Sequence, residues 1–133
     1  MIVVDANVIV YWATQGPHTG QAEHLRTIDG DWRTAPLWRY EFTNAVLMMM
    51  RAGMLTETLA LDCLLKADGL MTPREHAIVQ HDALRVAGRY GISAYDAQYI
   101  ALAEQLRTRC VTNDKALARK VPDFCVLLSS LHP

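Results

Sequence analysis

Apolar and polar positions follow two rhythms along this chain. Ile2-Val3-Val4 is a β-branched run closed by Asp5, the pattern of a short buried strand. Residues 7–14 stay largely apolar until Gln15-Gly16-Pro17 breaks them. Ala22, Leu25 and Ile28 then recur at helical spacing and predict a helix over 19–29, with a second strand over 32–35 stopped by Pro36. The helical period is strong over 37–52 and ends at Gly53; the next helix, over 56–68, opens on Thr56 as a cap. Residues 70–79 carry no clear period, and Pro73 interrupts any continuous element there. Helices over 81–90, ended by Gly91, and over 93–106 follow. A strand over 109–112, a short helix over 114–120, a break at Pro122 and a last strand over 124–128 complete the chain. Strands alternating with helices in this way predict an α/β fold with a mainly parallel sheet, in one domain spanning 1–133.

Composition narrows the classes that this pattern leaves open. At 51% hydrophobic and 20% charged, the chain suits an ordered core rather than a disordered segment. No apolar run approaches the roughly 20 residues of a membrane span, since Asp5 already interrupts the opening. That opening also lacks the basic start and small-residue cleavage site of a secretory signal. Cys63, Cys110 and Cys125 form no CxxC pair, and an odd number argues against a disulfide framework, so the expected setting is the reducing cytoplasm. The histidines show no HExxH spacing, which excludes a zincin-type site. With a net charge of −1, the chain is not a basic nucleic-acid binder as a whole. A polyanion would have to be held locally, by metal ions or by cations such as Arg33, Arg39, Arg74, Lys115, Arg119 and Lys120. Each of these reads first as an ordinary solvated surface charge.

Four acids stand out from the rest. Glu23, Asp29, Asp31, Glu57, Asp62, Asp68, Glu75, Asp82, Glu104 and Asp123 fit exposed helix faces, caps or turns. Asp5 instead follows three apolar strand residues, at the carboxyl end where open α/β sheets bind ligands; the alternative is a helix cap. Glu41 shares a stripe with Ala45, Met48 and Met49, where a carboxylate is costly without a partner. That partner is a cation in the site or, alternatively, Arg39 or Arg51. Asn44, at i+3, shares the face and is placed to orient Glu41 or a water. Asp96 heads a stripe of Tyr99, Ile100 and Ala103, with Ser93 the better cap. Asp114 follows the strand ending at Thr112 and Asn113, where a cap explains it as well as a ligand does.

Two acids ending strands and two on core stripes near helix starts are expected to converge at one sheet edge, within on the order of 10 Å. Carboxylates that close repel one another unless cations neutralise them. A donor set of oxygens without His or Cys suits magnesium or manganese, which in phosphodiester cleavage activates a water and stabilises the leaving oxygen.

Val3-Val4-Asp5-Ala6-Asn7, Glu41-Phe42-Thr43-Asn44, Ile92-Ser93-Ala94-Tyr95-Asp96-Ala97 and Val111-Thr112-Asn113-Asp114 resemble, in order and spacing, the PIN-domain family and its VapC-type toxins. The resemblance runs from residue 1 to about 128, and its most specific stretch is the one around Asp96. It implies a three-layer α/β/α fold, metal held by Asp5, Glu41, Asp96 and Asp114, and support from Asn7 and Thr112. It also implies endoribonuclease activity, homodimers, and inhibition by a small antitoxin lying over the site. The same family holds RNA-processing nucleases without a toxin role and members that bind without cutting. A receiver-like signalling domain would need adjacent acids after the first strand, but Val4 and Ala6 flank Asp5. A phosphatase with an Asp nucleophile would want Asp where Asn7 stands. Finally, Leu47-Met48-Met49-Met50, followed by Met54 and Leu55, is more apolar than one helix face can bury. Met48 and Met49 are expected in the core, leaving Leu47, Met50 and Met54 for an antitoxin helix or a second subunit.

Overall fold

β-Branched and small apolar residues build the sheet. The computed structural model describes residues 1–131, in which β1 (Ile2–Val4), β2 (Trp32–Arg33), β3 (Cys110–Thr112) and β4 (Cys125–Leu127) pair in the order β2-β1-β3-β4. Every pair is parallel, with Val3 opposite Cys110, Val4 opposite Val111, and Cys110 opposite Cys125. Parallel neighbours need crossovers, and the helices supply them. α1 (Ala6–Ala13) and α2 (Thr19–Ile28) lie between β1 and β2 in the chain. α3 (Trp38–Arg51), α4 (Glu57–Met71), α5 (Gln80–Tyr90) and α6 (Asp96–Leu106) separate β2 from β3, and α7 (Lys115–Lys120) joins β3 to β4. The sheet is flanked by helices: α6 packs on β1 and β3, α5 on α6, and α1 on α2, α3 and α4. Val3, Val4, Cys110, Val111 and Thr112 are fully buried, as central strands covered on both faces must be. From β1 the chain goes first to one neighbour and later to the other, so the strand order reverses between β1 and β3. The crevice at the carboxyl ends of those two strands is the expected ligand position.

Several local expectations hold and others are corrected. Gly53 and Gly91 adopt positive φ, 75° and 65°, which a residue with a Cβ accepts only under strain. Thr56 caps α4 by accepting from the Leu59 N–H at 3.2 Å. α4 runs three residues past its expected end, to Met71, and Pro73 sits in a 3-10 turn, Thr72–Arg74. The chain then forms a lone parallel bridge from Glu75 to Thr34 beside β2, the structure of the stretch that lacked a period. The helix expected from residue 93 begins at Asp96, whose N–H donates to Ser93 Oγ at 3.0 Å.

Along α3 the buried stripe is Trp38, Phe42 and Val46, not the Met48 side. Met48 is 45% exposed, so its expected place in the core is corrected; Met49 is half-buried, and Leu47 and Met54 remain exposed. Glu41 therefore rides the edge of the stripe rather than its centre. Glu75 and Glu104 are not free surface charges. Glu75 accepts from Trp38 Nε1 at 2.6 Å and from Arg39 Nε at 2.5 Å, and Arg39 reaches on to Asp68 at 3.2 Å, tying α3 to α4 and its 3-10 turn. Glu104 joins α6 to α5 through Arg85 at 2.6 Å.

Candidate active site

Asp5 is where β1 hands over to α1. Its N–H still donates to Val111 O of β3 at 3.1 Å, while its carbonyl accepts from the Val8 N–H at 3.1 Å to begin the helix. The residue occupies the cap position, yet its side chain makes no capping bond. The carboxylate turns to the neighbouring strand: Oδ2 accepts from Thr112 Oγ at 2.8 Å and from Asn7 Nδ2 at 3.4 Å. At 7% exposure it is nearly dry, and its pKa is pushed up to about 7. Burial is the main cause; the Thr112 hydroxyl opposes it, and the charges of Glu41 and Asp96 add to it.

Thr112 is the joint between the two strand ends. Its single proton goes to Asp5, and its oxygen accepts from the Asp114 N–H at 3.1 Å and from Asn7 Nδ2 at 3.4 Å. Asn7 Oδ1 in turn accepts from the Asn113 N–H at 3.3 Å, and Asn113 Nδ2 donates to Tyr11 OH at 3.3 Å. Asp114 caps α7, with Oδ1 accepting from the Leu117 N–H at 3.1 Å, and also lines the cleft beside Asp5. The helix cap and the cleft wall are one residue.

Glu41 projects from the first turn of α3 and accepts a short hydrogen bond from the Tyr99 hydroxyl. Arg39, its expected alternative partner, is engaged with Glu75 and Asp68, and no ion pair joins Glu41 to Arg51. Burial raises the Glu41 pKa and Asp96 raises it further, against the Tyr99 bond. Asp96 is the first residue of α6; its pKa is raised by burial and by Asp114, and lowered by Ser93 and Lys120. Tyr99 is fully buried, and burial together with the Asp5 and Glu41 charges raises its phenol pKa, so it stays a donor. Periodicity marks Tyr99 only as a core residue. The one further signal in the sequence is a hydroxyl on a core stripe, three residues after Asp96.

Asp5, Asn7, Glu41, Asp96 and Asp114 all line one cleft of about 240 Å³, whose remaining walls are Ala6, Val10 and Ala45. Asn44 is exposed on α3 and, among the described residues, makes no hydrogen bond to Glu41. Within the same limits, no ion pair engages any of the four acids. Four carboxylates in one partly dry cleft, with no ion pair to any of them among the described residues, are a donor set that would suit a hard divalent cation. As the side chains stand, no three His, Cys, Asp or Glu residues among those described are clustered to ligate one ion directly. That suits an ion held by one or two carboxylates and several waters, as magnesium commonly is. Glu41 and Asp96 project from helices rather than strand ends, unlike the acids of a receiver domain.

Comparison with known proteins accords with this arrangement. The sequence profile of the PIN domain matches residues 2–121. The chain is 32% identical to Ribonuclease VapC3 of Pyrobaculum aerophilum over 124 residues, covering 91% of this chain and 95% of that protein. Among solved structures, PAE2754 of Pyrobaculum aerophilum superposes with a TM-score of 0.71 at 23% identity, covering 97% of this chain and 91% of its own. FitAcB of Neisseria gonorrhoeae superposes with a TM-score of 0.70 at 19% identity, covering 98% and 100%. These two likenesses concern the fold.

Proposed function

Because this chain belongs to the PIN-domain family, we propose that it is a divalent-metal-dependent endoribonuclease, the toxin half of a toxin–antitoxin pair. The observation that carries the nuclease reading is the cleft itself: four carboxylates from four separate stretches, gathered at the reversal of strand order with no ion pair engaging any of them among the described residues. The name of the 32% identical relative supports RNA as substrate. The toxin role, a homodimer and a small antitoxin over the cleft rest on the resemblance to VapC-type toxins. An antitoxin Arg or Lys entering the cleft would meet the same charge that a metal does.

In this reading Asp5, Asp96 and Asp114 would hold magnesium or manganese, one or two of them directly and the rest through bound water, and the ion would supply water activation and charge stabilisation at the phosphate. Thr112 and Asn7 hold Asp5 in place from β3 and α1. Tyr99 donates to Glu41 Oε1, and Glu41 lines the cleft, where its carboxylate would accept a proton from the attacking water. Asn44 acts, if at all, from outside the cleft, on a bound water. Free cysteines suit a cytoplasmic setting, and Cys110 and Cys125 are buried with thiol pKa values raised by burial, the latter to about 12. No helix among the described residues is long and apolar enough to cross a membrane.

Purified protein should cut single- or partly structured RNA with magnesium, stop in EDTA, and lose at least roughly 100-fold in rate on Asp96→Asn while staying folded. Cleavage that survives the chelator or the substitution would remove the metal site from the chemistry. Expression of this chain alone should arrest growth and Asp5→Ala should restore it; normal growth with active, soluble nuclease would leave an RNA-processing enzyme and end the toxin reading.

A further inference from the structure

Beside the acidic cleft lies a second cavity of about 280 Å³, almost wholly apolar, and the two share Val10 and Ala45 as common wall. The rest of its lining comes from Tyr11 of α1, residues 14–19, Met49 of α3, and Met54 just past the end of α3. Resting on the nuclease reading for its RNA, we propose that this cavity is a nucleobase subsite, taking the base of the nucleotide whose phosphate lies over the four acids.

Three observations carry it. The first is continuity. A phosphate and its own base are separated by a single ribose, so a phosphate over Asp5 and Glu41 puts a base against the Val10–Ala45 wall. A nucleotide matches both halves of the double cavity at once: an anion for the metal-bearing side, a flat ring for the apolar side. A lone aliphatic side chain matches only the second, and a protein segment matches both only where it also carries an Arg or Lys for the acids.

The second observation is the lining. Tyr11 and His18 face each other with ring centroids 4.6 Å apart and planes 41° to one another, giving an open aromatic corner. Aromatic faces accept any base by stacking. Met49 and Met54 close the other side with polarizable, rotatable thioethers that adapt to purine or pyrimidine. Exposed Gln15 at the rim carries a carboxamide for a base edge.

The third is rigidity. Thr19 Oγ donates to Thr14 O at 2.8 Å and accepts from the Gly16 N–H at 3.0 Å, so the turn is braced from inside. His18 Nδ1 is fixed against Gln21 Oε1 at 3.1 Å. Tyr11 OH accepts from Asn113, the neighbour of Asp114, so the aromatic corner is registered to the acidic cleft. A pocket built this way needs little ordering when it fills.

The test reads binding and cleavage separately. Isotope-labelled protein with magnesium is titrated with AMP, GMP, CMP, UMP, ribose 5-phosphate and N-acetyl-leucine amide while the amide and Met methyl signals are followed. In parallel, wild type, His18→Ala and Met49→Trp are given a random-sequence RNA pool and their cut sites are mapped. At least one nucleotide should shift Thr14, Gly16 and Met49, and ribose 5-phosphate should not. Wild type should favour particular bases at one position next to the cut. His18→Ala should raise KM roughly tenfold, about 1.4 kcal/mol, with kcat changed less. Met49→Trp, which fills the cavity from its far wall, should flatten the base preference even if His18→Ala disturbs the turn. Nucleotide shifts in a protein that cuts no RNA would sink the nuclease reading and keep the subsite. Cleavage with neither shifts nor base preference would overturn the subsite and keep the nuclease. Shifts from N-acetyl-leucine amide and from no nucleotide would assign the cavity to a protein partner and overturn it as well.

Discussion

Replacing Asp5 by asparagine in metal-free protein should stabilise the fold, although it destroys a proposed metal ligand. Moving an aspartate from 3.8 to about 7 corresponds to about 4 kcal/mol against the charged form, at roughly 1.4 kcal/mol per tenfold in acidity. The sign follows from proton counts. Between these two values the folded protein holds a proton on Asp5 that the unfolded chain has already released. Stability is therefore greatest below 3.8 and falls as pH rises through 7. From pH 5 to pH 8 this one group should cost the wild type about 2–3 kcal/mol in EDTA. Asparagine keeps an oxygen for the Thr112 hydroxyl and carries no charge, but its amide N–H groups need partners, at about 1–3 kcal/mol if unmet. The net gain at pH 8 is then about 1–3 kcal/mol, or roughly 3–6 °C in Tm per kcal/mol for a chain of this size. Urea unfolding of both proteins in EDTA at pH 5 and pH 8 reads both quantities. Wild-type stability that is flat or rising over that range, with no gain from Asp5→Asn at pH 8, would show that the buried carboxylate is not under electrostatic strain.

Magnesium should narrow that difference: at ten times its Kd it raises wild-type stability by about 1.4 kcal/mol and leaves Asp5→Asn nearly unmoved, as thermal melts with and without the ion would show. Tyr99→Phe should melt within about 1.5 kcal/mol of wild type yet cut RNA roughly tenfold more slowly, because Glu41 loses the side-chain donor that Tyr99 supplies; unchanged kinetics would make the Tyr99 bond incidental. Glu75→Ala should cost about 2 kcal/mol by chemical denaturation, since it strands the indole N–H of Trp38, which is 2% exposed, and frees Arg39; a neutral result would mean water replaces both bonds.

Local chemistry made much of this molecule readable before any coordinates. A β-branched run closed by Asp5, glycines where φ turns positive, and Thr56 at a helix start each act within a few residues of themselves. Long-range partners are another matter. Glu75 looks like a turn residue until Trp38 and Arg39, 37 and 36 positions earlier, are brought against it. Tyr99 shows its core face through its period, but its bond to Glu41 spans 58 positions. Met48 was misplaced for a related reason: a run of four large apolar residues wraps more than half of a helix, and only tertiary packing chooses Trp38, Phe42 and Val46 as the inward line. The four acids stood out because a carboxylate on a core pattern is conspicuous in itself. The bonds that orient them were not visible in the pattern.

The hydroxyl of Thr112 meets the carboxylate of Asp5 across 107 positions of chain. Synthesis at about 5–20 residues per second separates the two by roughly 5–20 s. During that interval a growing polypeptide owns β1, β2 and most of its helices but neither the strand that aligns Asp5 nor the fourth acid. Asp114 must also clear the ribosome before α7 can be capped and the cleft closed. The arrangement is a timer: the acidic cleft cannot be assembled until the codons for Thr112 and Asp114 have been read, about a hundred after that of Asp5.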